Sequence, residues 1–224
     1  MKLAFDIGAN IGQSADALLG EGYDSIVCVE PIPALARELE KKFSHLPDVF
    51  VENKAVCDKE EAQHLYIHHA STGLSTIQDE WLTASRFTRT HPGWNPPISV
   101  IGVTLDVLIE KYGMPTFIKI DAEGAEKRIF QGLSECDAKI AFEWTEEVWD
   151  TVCLPAVELL KKLGYTLFAY HEYPNGSNTD TYTRDEALFP EPSDVSYTAW
   201  DQCAIHKIIQ PSRQQKYGML WAKK

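Results

Sequence analysis

The feature that most constrains this chain lies near its start. Leu3 to Ile7 is a short apolar run, and Gly8-Ala9-Asn10-Ile11-Gly12 turns it directly into a helical pattern over residues 11–20. A buried strand that breaks into a helix through a corner of small residues is the opening move of a parallel α/β sheet. The next fifty residues keep the rhythm. Ser25–Glu30 reads as a second strand, 33–43 as a helix opening on Pro33, and Val49–Val51 as a third strand. Right-handed crossovers then give a doubly wound sheet, so the expected fold class is α/β and Rossmann-like.

The corner also limits the ligand. Gly8 permits a tight turn, Gly12 lets helix and strand approach, and the N–H groups at the helix start can hold an anionic group. The spacing is G-x-x-x-G, with Asn10 where the dinucleotide fingerprint G-x-G-x-x-G has its middle glycine. That glycine lets a pyrophosphate sit against backbone. A ligand without one, such as S-adenosylmethionine (SAM), fits better, and an NAD-dependent enzyme is the weaker alternative. Glu30 follows Gly12 by 18 residues at the end of the second strand, where an acid can accept hydrogen bonds from both ribose hydroxyls.

Further along, HLYIHH (64–69) and ISVIGV (98–103) read as strands, with Thr104 capping a helix that ends at Gly113. FIKI (117–120) and KIAFE (139–143) are further buried strands. A helix is expected from about Glu123 and another over 146–163, and final strands over Tyr165–His171 and Cys203–Ile208. The chain of 224 residues suits one domain over 1–224, with irregular stretches inserted at about 69–99 and 172–200.

Carboxylates cluster at the strand ends where ligands of open α/β sheets bind. Asp121 directly follows FIKI, and Glu143 ends KIAFE. Adjacent strands lie about 4.8 Å apart, so the two converge if these strands are neighbours. Lys119 alternates with Ile118 and Ile120 and shares a sheet face with Asp121, so it can pair with a carboxylate. Group transfer to a hydroxyl would need an acceptor held in line and its proton removed. Asp121 or Glu143 is the candidate general base, Lys119 tunes it, and Glu123 stands beside them. Glu126 is expected only to favour the start of a helix. Such a cluster could also hold a divalent cation such as Mg²⁺. His68, His69, His91 and His171 are further titratable candidates, of which His171 sits at a strand end.

The residues DIGANIG (6–12), VEP (29–31), ST (75–76), VTLDVL (103–108), FIKIDAEGAE (117–126) and FE (142–143) resemble the FkbM family of SAM-dependent methyltransferases. The resemblance implies a seven-stranded class I methyltransferase sheet, mostly parallel with an antiparallel last strand, and O-methylation of sugars or polyketide-type hydroxyls. It implies that Asp6, Gly8, Ala9, Asn10 and Gly12 line the methionine end of SAM and that Glu30, beside Pro31, holds the ribose. It places Val56, Cys57 and Asp58 at the adenine, and it gives Ser75 and Thr76 weight as acceptor-binding residues alongside His171.

Composition sets the partners. The net charge of −12 opposes polyphosphates, so a small acceptor is expected rather than nucleic acid. The irregular stretches carry Trp81, Arg86, His91, Trp94, Tyr173, Asn175, Asn178 and Tyr182, and aromatic faces among hydroxyl and amide groups suit a carbohydrate. Five dispersed cysteines form no CxxC pair, which fits a reducing cytoplasm and no zinc ribbon. No stretch of about 18 apolar residues calls for a membrane span. A SAM- or nucleotide-binding module without catalysis would keep the glycine corner and Glu30 but has no need of Asp121 and Glu143.

Overall fold

A computed structural model describes residues 1–84, 93–172, 196–205 and 216–224. Arg86, His91, Tyr173, Asn175, Asn178 and Tyr182 lie outside them. The apolar runs become strands β1 (Leu3–Ile7), β2 (Ser25–Val29), β3 (Val49–Glu52), β7 (Phe117–Ile120) and β8 (Lys139–Thr145), all parallel neighbours in the order β3-β2-β1-β7-β8. Every residue of β1, β2 and β7 is buried, as expected of parallel strands covered on both faces. The sheet continues through β11 (Tyr217–Lys223) to β9 (Leu167–Glu172) and the two-residue edge strand β10 (Thr198–Ala199). β11 runs antiparallel to both β8 and β9. The expected mostly parallel, doubly wound sheet with an antiparallel last strand is thus present, but with eight strands among the described residues rather than seven, because β10 is added at one edge.

The alternation of each strand divides the core. Phe5, Val27, Ile118, Ile140 and Leu220 pack on one face beneath α4 (Leu105–Tyr112), α5 (Glu126–Gln131) and α6 (Leu154–Lys162). Ala4, Ile26, Cys28, Phe117 and Trp221 pack on the other against Leu18 of α1 (Gln13–Gly20) and Leu39 and Phe43 of α2 (Pro33–Phe43). A methyl group at Gly12 would stand 2.7 Å from Leu39 Cδ2, which is how closely α1 starts against α2. Thr104 accepts from Val107 N at 3.2 Å to cap α4, and Gly113 ends it. No helix among the described residues is long and apolar enough to cross a membrane.

A smaller sheet stands beside the main one. β6 (Ile98–Val103) pairs in parallel with β4 (Ala55–Val56) and antiparallel with β5 (Ala62–Leu65). Between β5 and β6, single bridges join Tyr66 to Thr76 and His68 to Trp94, and the short helix α3 (Trp81–Ala84) buries Trp81.

Several boundaries differ from those the residue pattern predicts. The strand placed at 64–69 ends at Leu65, after which only isolated bridges continue it. The last strand is Tyr217–Lys223, not Cys203–Ile208. The described part of that run, Cys203 to Ile205, includes two buried residues but no strand pairing, and 206–208 lie outside the described residues. The helix expected from Glu123 starts at Glu126. The segment 146–163 opens with a 3₁₀ turn (Glu146–Val148) and a π turn (Trp149–Cys153) before α6 begins. Pro155 has no N–H to give to a carbonyl one turn back, so regular α-helix can only start around it.

Candidate active site

The C-terminal ends of β1, β2 and β7 open into a cleft of about 210 Å³. Its near wall is the glycine corner. Gly8 N and Ala9 N both donate to Val29 O, at 2.9 and 3.1 Å, tying the corner to the end of β2. Gly8 has φ 73° and Asn10 φ 48°, the left-handed region. A methyl group at Gly8 would fall 1.9 Å from Asp121 O, so glycine is required where the corner meets the end of β7.

Glu30 forms the second wall and is 4% exposed. Its Oε2 accepts from Asn10 N and its Oε1 from Ile32 N, both at 2.8 Å. Burial raises its pKa, with these two N–H groups pulling the other way. Each carboxylate oxygen keeps further lone-pair capacity for a ligand hydroxyl. Pro31, Lys54, Ala55, Val56 and Leu65 continue this side, and Thr72, Gly73, Ser75, Thr76 and Ile77 cover the cleft from the small sheet.

Lys119, Asp121 and Glu123 line the remaining side. Asp6 lies beneath them, fully buried. Lys119 Nζ is 3.3 Å from Asp6 Oδ1 and 3.6 Å from Asp121 Oδ2, and it donates to Gly8 O at 3.2 Å. Burial disfavours the ammonium, but the carboxylates of Asp6, Asp121 and Glu143 outweigh it and raise the Lys119 pKa, so the lysine is charged. Burial raises the Asp6 pKa, with Lys119 pulling it back. β7 and β8 are neighbours with Ile120 opposite Phe142, which puts Asp121 and Glu143 in the next register. One carboxylate oxygen from each of Asp121, Glu123 and Glu143 lies within 4.8 Å of the other two. That donor set is of the kind a divalent cation takes, although Lys119 already supplies a positive charge beside it.

The other expected site residues stand differently. Gly12 packs behind the corner on α2. Cys57 and Asp58 are outside the cleft lining: the Cys57 thiol donates to Lys59 O at 3.2 Å, and Asp58 takes two bonds from Arg128, at 2.9 and 2.7 Å. Glu143 is also outside the lining but reaches the carboxylate cluster. His171 is on β9, separated from Glu143 by Met219 of β11, and lines a different hollow with Glu172 and Thr198. Glu126 is 2% exposed and accepts from Ala122 N at 3.2 Å, and burial raises its pKa to about 7. It braces the β7–α5 turn from within. Lys54, Leu65 and Ile77 line the cleft, and no motif in the sequence marks them. Lys54 had one available signal, because it closely follows the end of β3 at the ligand-binding edge of the sheet.

No curated protein matches the sequence. Among solved structures, a precorrin-6y C5,15-methyltransferase from Geobacter metallireducens is 12% identical with a TM-score of 0.42, covering 100% of this chain and 80% of that one. TYW2 of M. jannaschii in complex with AdoMet is 10% identical with a TM-score of 0.41, covering 99% of this chain and 67% of that one. An rRNA methylase from Streptococcus thermophilus is 8% identical with a TM-score of 0.38, covering 100% and 87%. These are distant likenesses, and the sheet order carries the fold without them. The model of the methyltransferase FkbM domain matches residues 6–167, from the glycine corner to the start of β9. The chain therefore belongs to the FkbM family of SAM-dependent methyltransferases.

Proposed function

We propose that the protein transfers the methyl group of SAM to a hydroxyl oxygen of a small acceptor of carbohydrate character. The observation that carries this reading is the meeting of Asp121, Glu123 and Glu143 beside Lys119, next to the cleft bounded by Gly8 and Glu30. Bound SAM supplies an electrophilic methyl on a sulfonium: the acceptor O–C bond forms as the S–C bond breaks, and the hydroxyl proton goes to a carboxylate.

The chain's own residues account for the rest. Glu30 receives the ribose hydroxyls, the spare carbonyl lone pairs of the Gly8–Asn10 corner take the ammonium of the amino-acid end, since the N–H groups there are engaged by Val29 O and Glu30, and Val56 and Leu65 give the adenine an apolar wall. Asp121 is the preferred base because it lines the cleft, with Glu143 beside it as the alternative. Lys119, with its Nζ 3.6 Å from Asp121 Oδ2, gives that carboxylate a fixed cationic neighbour and holds it in place. The acidic surroundings favour a sulfonium over an uncharged thioether. Ser75 on the cover can meet an acceptor hydroxyl. A divalent cation on the three carboxylates would add polarisation of the acceptor oxygen. The charge of −12 favours neutral or cationic acceptors over polyanions.

The test is release of S-adenosylhomocysteine (SAH) across a panel of sugars, glycosides, phenols and RNA, with and without chelator. Turnover on a sugar hydroxyl, abolished in Asp121→Asn while SAM binding stays largely intact, is the expected result. Turnover confined to RNA, or an Asp121→Asn enzyme as fast as the parent, overturns the reading.

A further inference from the structure

Thr76 lies on the cover of the cleft and is 1% exposed. Its main chain pairs with Tyr66 in both directions, at 2.8 and 3.0 Å. Its hydroxyl donates to Glu123 O at 2.8 Å and accepts from Gln78 N at 2.9 Å. A threonine hydroxyl has one proton to give. Here that proton is spent on protein, so Thr76 has none left to offer an acceptor.

The other end of that bond is unusual. Glu123 has φ 50°, a left-handed conformation that is strained for a residue with a side chain. Such strain persists where the surroundings over-determine it. Two contacts do so here. The Thr76 hydroxyl fixes the Glu123 carbonyl, and the Trp81 ring sits directly under Gly124, where a methyl group would be 2.9 Å from Cε3. Gly124 has φ 92°, so two successive left-handed residues shape the turn after β7. The result is a Glu123 carboxylate oxygen within 4.8 Å of those of Asp121 and Glu143.

We propose that Thr76 is a positioning residue: by locking the Glu123 peptide it holds the third carboxylate at the reacting edge, and so sets the preference of the cleft for the sulfonium cosubstrate over its uncharged product. The proposal rests on the cofactor reading above. Tying the cover to the carboxylate turn also links closure of the cleft to the charge that the methyl-bearing sulfur meets.

Thr76→Val keeps the branched shape and removes the hydroxyl, and Thr76→Ser keeps the hydroxyl. Dissociation constants for SAM and SAH are measured by calorimetry on the full chain, with melting temperatures alongside. In Thr76→Val the SAM affinity should fall about fivefold further than the SAH affinity, the factor an ordinary hydrogen bond is worth. Thr76→Ser should keep the parent ratio. Glu123→Gln should lower the ratio as well, and adding Thr76→Val to it should change the ratio no further. An unchanged ratio in Thr76→Val, equal loss for both ligands, or independent effects in the double variant overturns the proposal while leaving the cofactor reading in place. Should Thr76→Val fail to fold, an unchanged ratio in Glu123→Gln overturns it equally. A parent chain that binds neither ligand removes the cofactor reading and this proposal together.

Discussion

Replacing Lys119 by Met would strip the charge partner from a carboxylate that has no access to water. Lys119 Nζ faces Asp6 Oδ1 at 3.3 Å, and Asp6 is 0% exposed. At an effective dielectric constant of about 20, a unit pair at that separation attracts by about 5 kcal/mol before desolvation is counted. The Asp121 contact is left out of the sum, because that side chain is 41% exposed and screened. Removing one partner of a buried pair costs about 3–5 kcal/mol, since the survivor stays desolvated and uncompensated. Burial already raises the Asp6 pKa, and losing the ammonium raises it further. A carboxyl with a raised native-state pKa is most favourable to the fold below its unfolded value and loses that advantage as pH rises through the native one. Lys119→Met should therefore be destabilised far more at pH 8 than at pH 5.5, read from urea unfolding midpoints of parent and variant at both values. The further change Asp6→Asn should restore most of the loss at pH 8 and a smaller part at pH 5.5, which lies closer to the carboxyl's unfolded value of 3.8. A destabilisation below about 1 kcal/mol, or one that is the same at both pH values, would refute the claim that a buried ion pair underlies the cleft.

Gly8→Ala combines a left-handed backbone with a clash against Asp121 O, so a loss of about 3 kcal/mol or more in unfolding free energy is expected, together with loss of SAH binding in calorimetry. Glu30→Gln removes a charged acceptor from the ribose end, and SAH affinity should fall about 10–100-fold, the equivalent of a charge-assisted bond; a change under about threefold counts against the ribose assignment. Glu126, with its pKa raised to about 7 by burial, should draw stability from the fold as pH rises through that value. Glu126→Gln should lack this decline, so its unfolding midpoint should exceed the parent's by more at pH 8 than at pH 5.5, with the difference closing only near pH 4.5.

The parts of this architecture that local chemistry dictates are the parts that the residue pattern reveals. Pro33 and Phe43 bracket α2 because a proline suits a first turn and Phe43 ends the apolar stripe of Ala36 and Leu39. The glycine corner is legible because only small or amide-bearing residues tolerate the dihedrals at Gly8 and Asn10. Asp121 is legible because it ends a buried apolar run, and Glu143 because it interrupts one, although β8 continues past it through Trp144 and Thr145 rather than ending there. What was not legible depends on partners distant in sequence. Cys203 and Ile205 are as buried as strand residues, yet burial comes from packing, and periodicity in so short a run does not separate a turn from a strand. Asp58 belongs to Arg128, 70 residues away, and nothing near Asp58 announces it. Thr76 looks like an exposed hydroxyl in a polar loop until the fold carries it to Glu123.

The place of β11 has a consequence for how the molecule assembles. Tyr217–Lys223 slots between β8 and β9, with Leu220 and Trp221 in the interior. Until that stretch arrives, β8 has a bare edge and β9 has only the two residues of β10 to pair with. The half of the sheet carrying Glu143 and His171 is therefore complete only when that stretch is in place, whereas β1, β2 and β7 pair around the glycine corner without it. Long-range pairing of this kind slows folding. A nascent or damaged chain in which residues 217–223 are not engaged would present a ready template for strand-by-strand association with another copy.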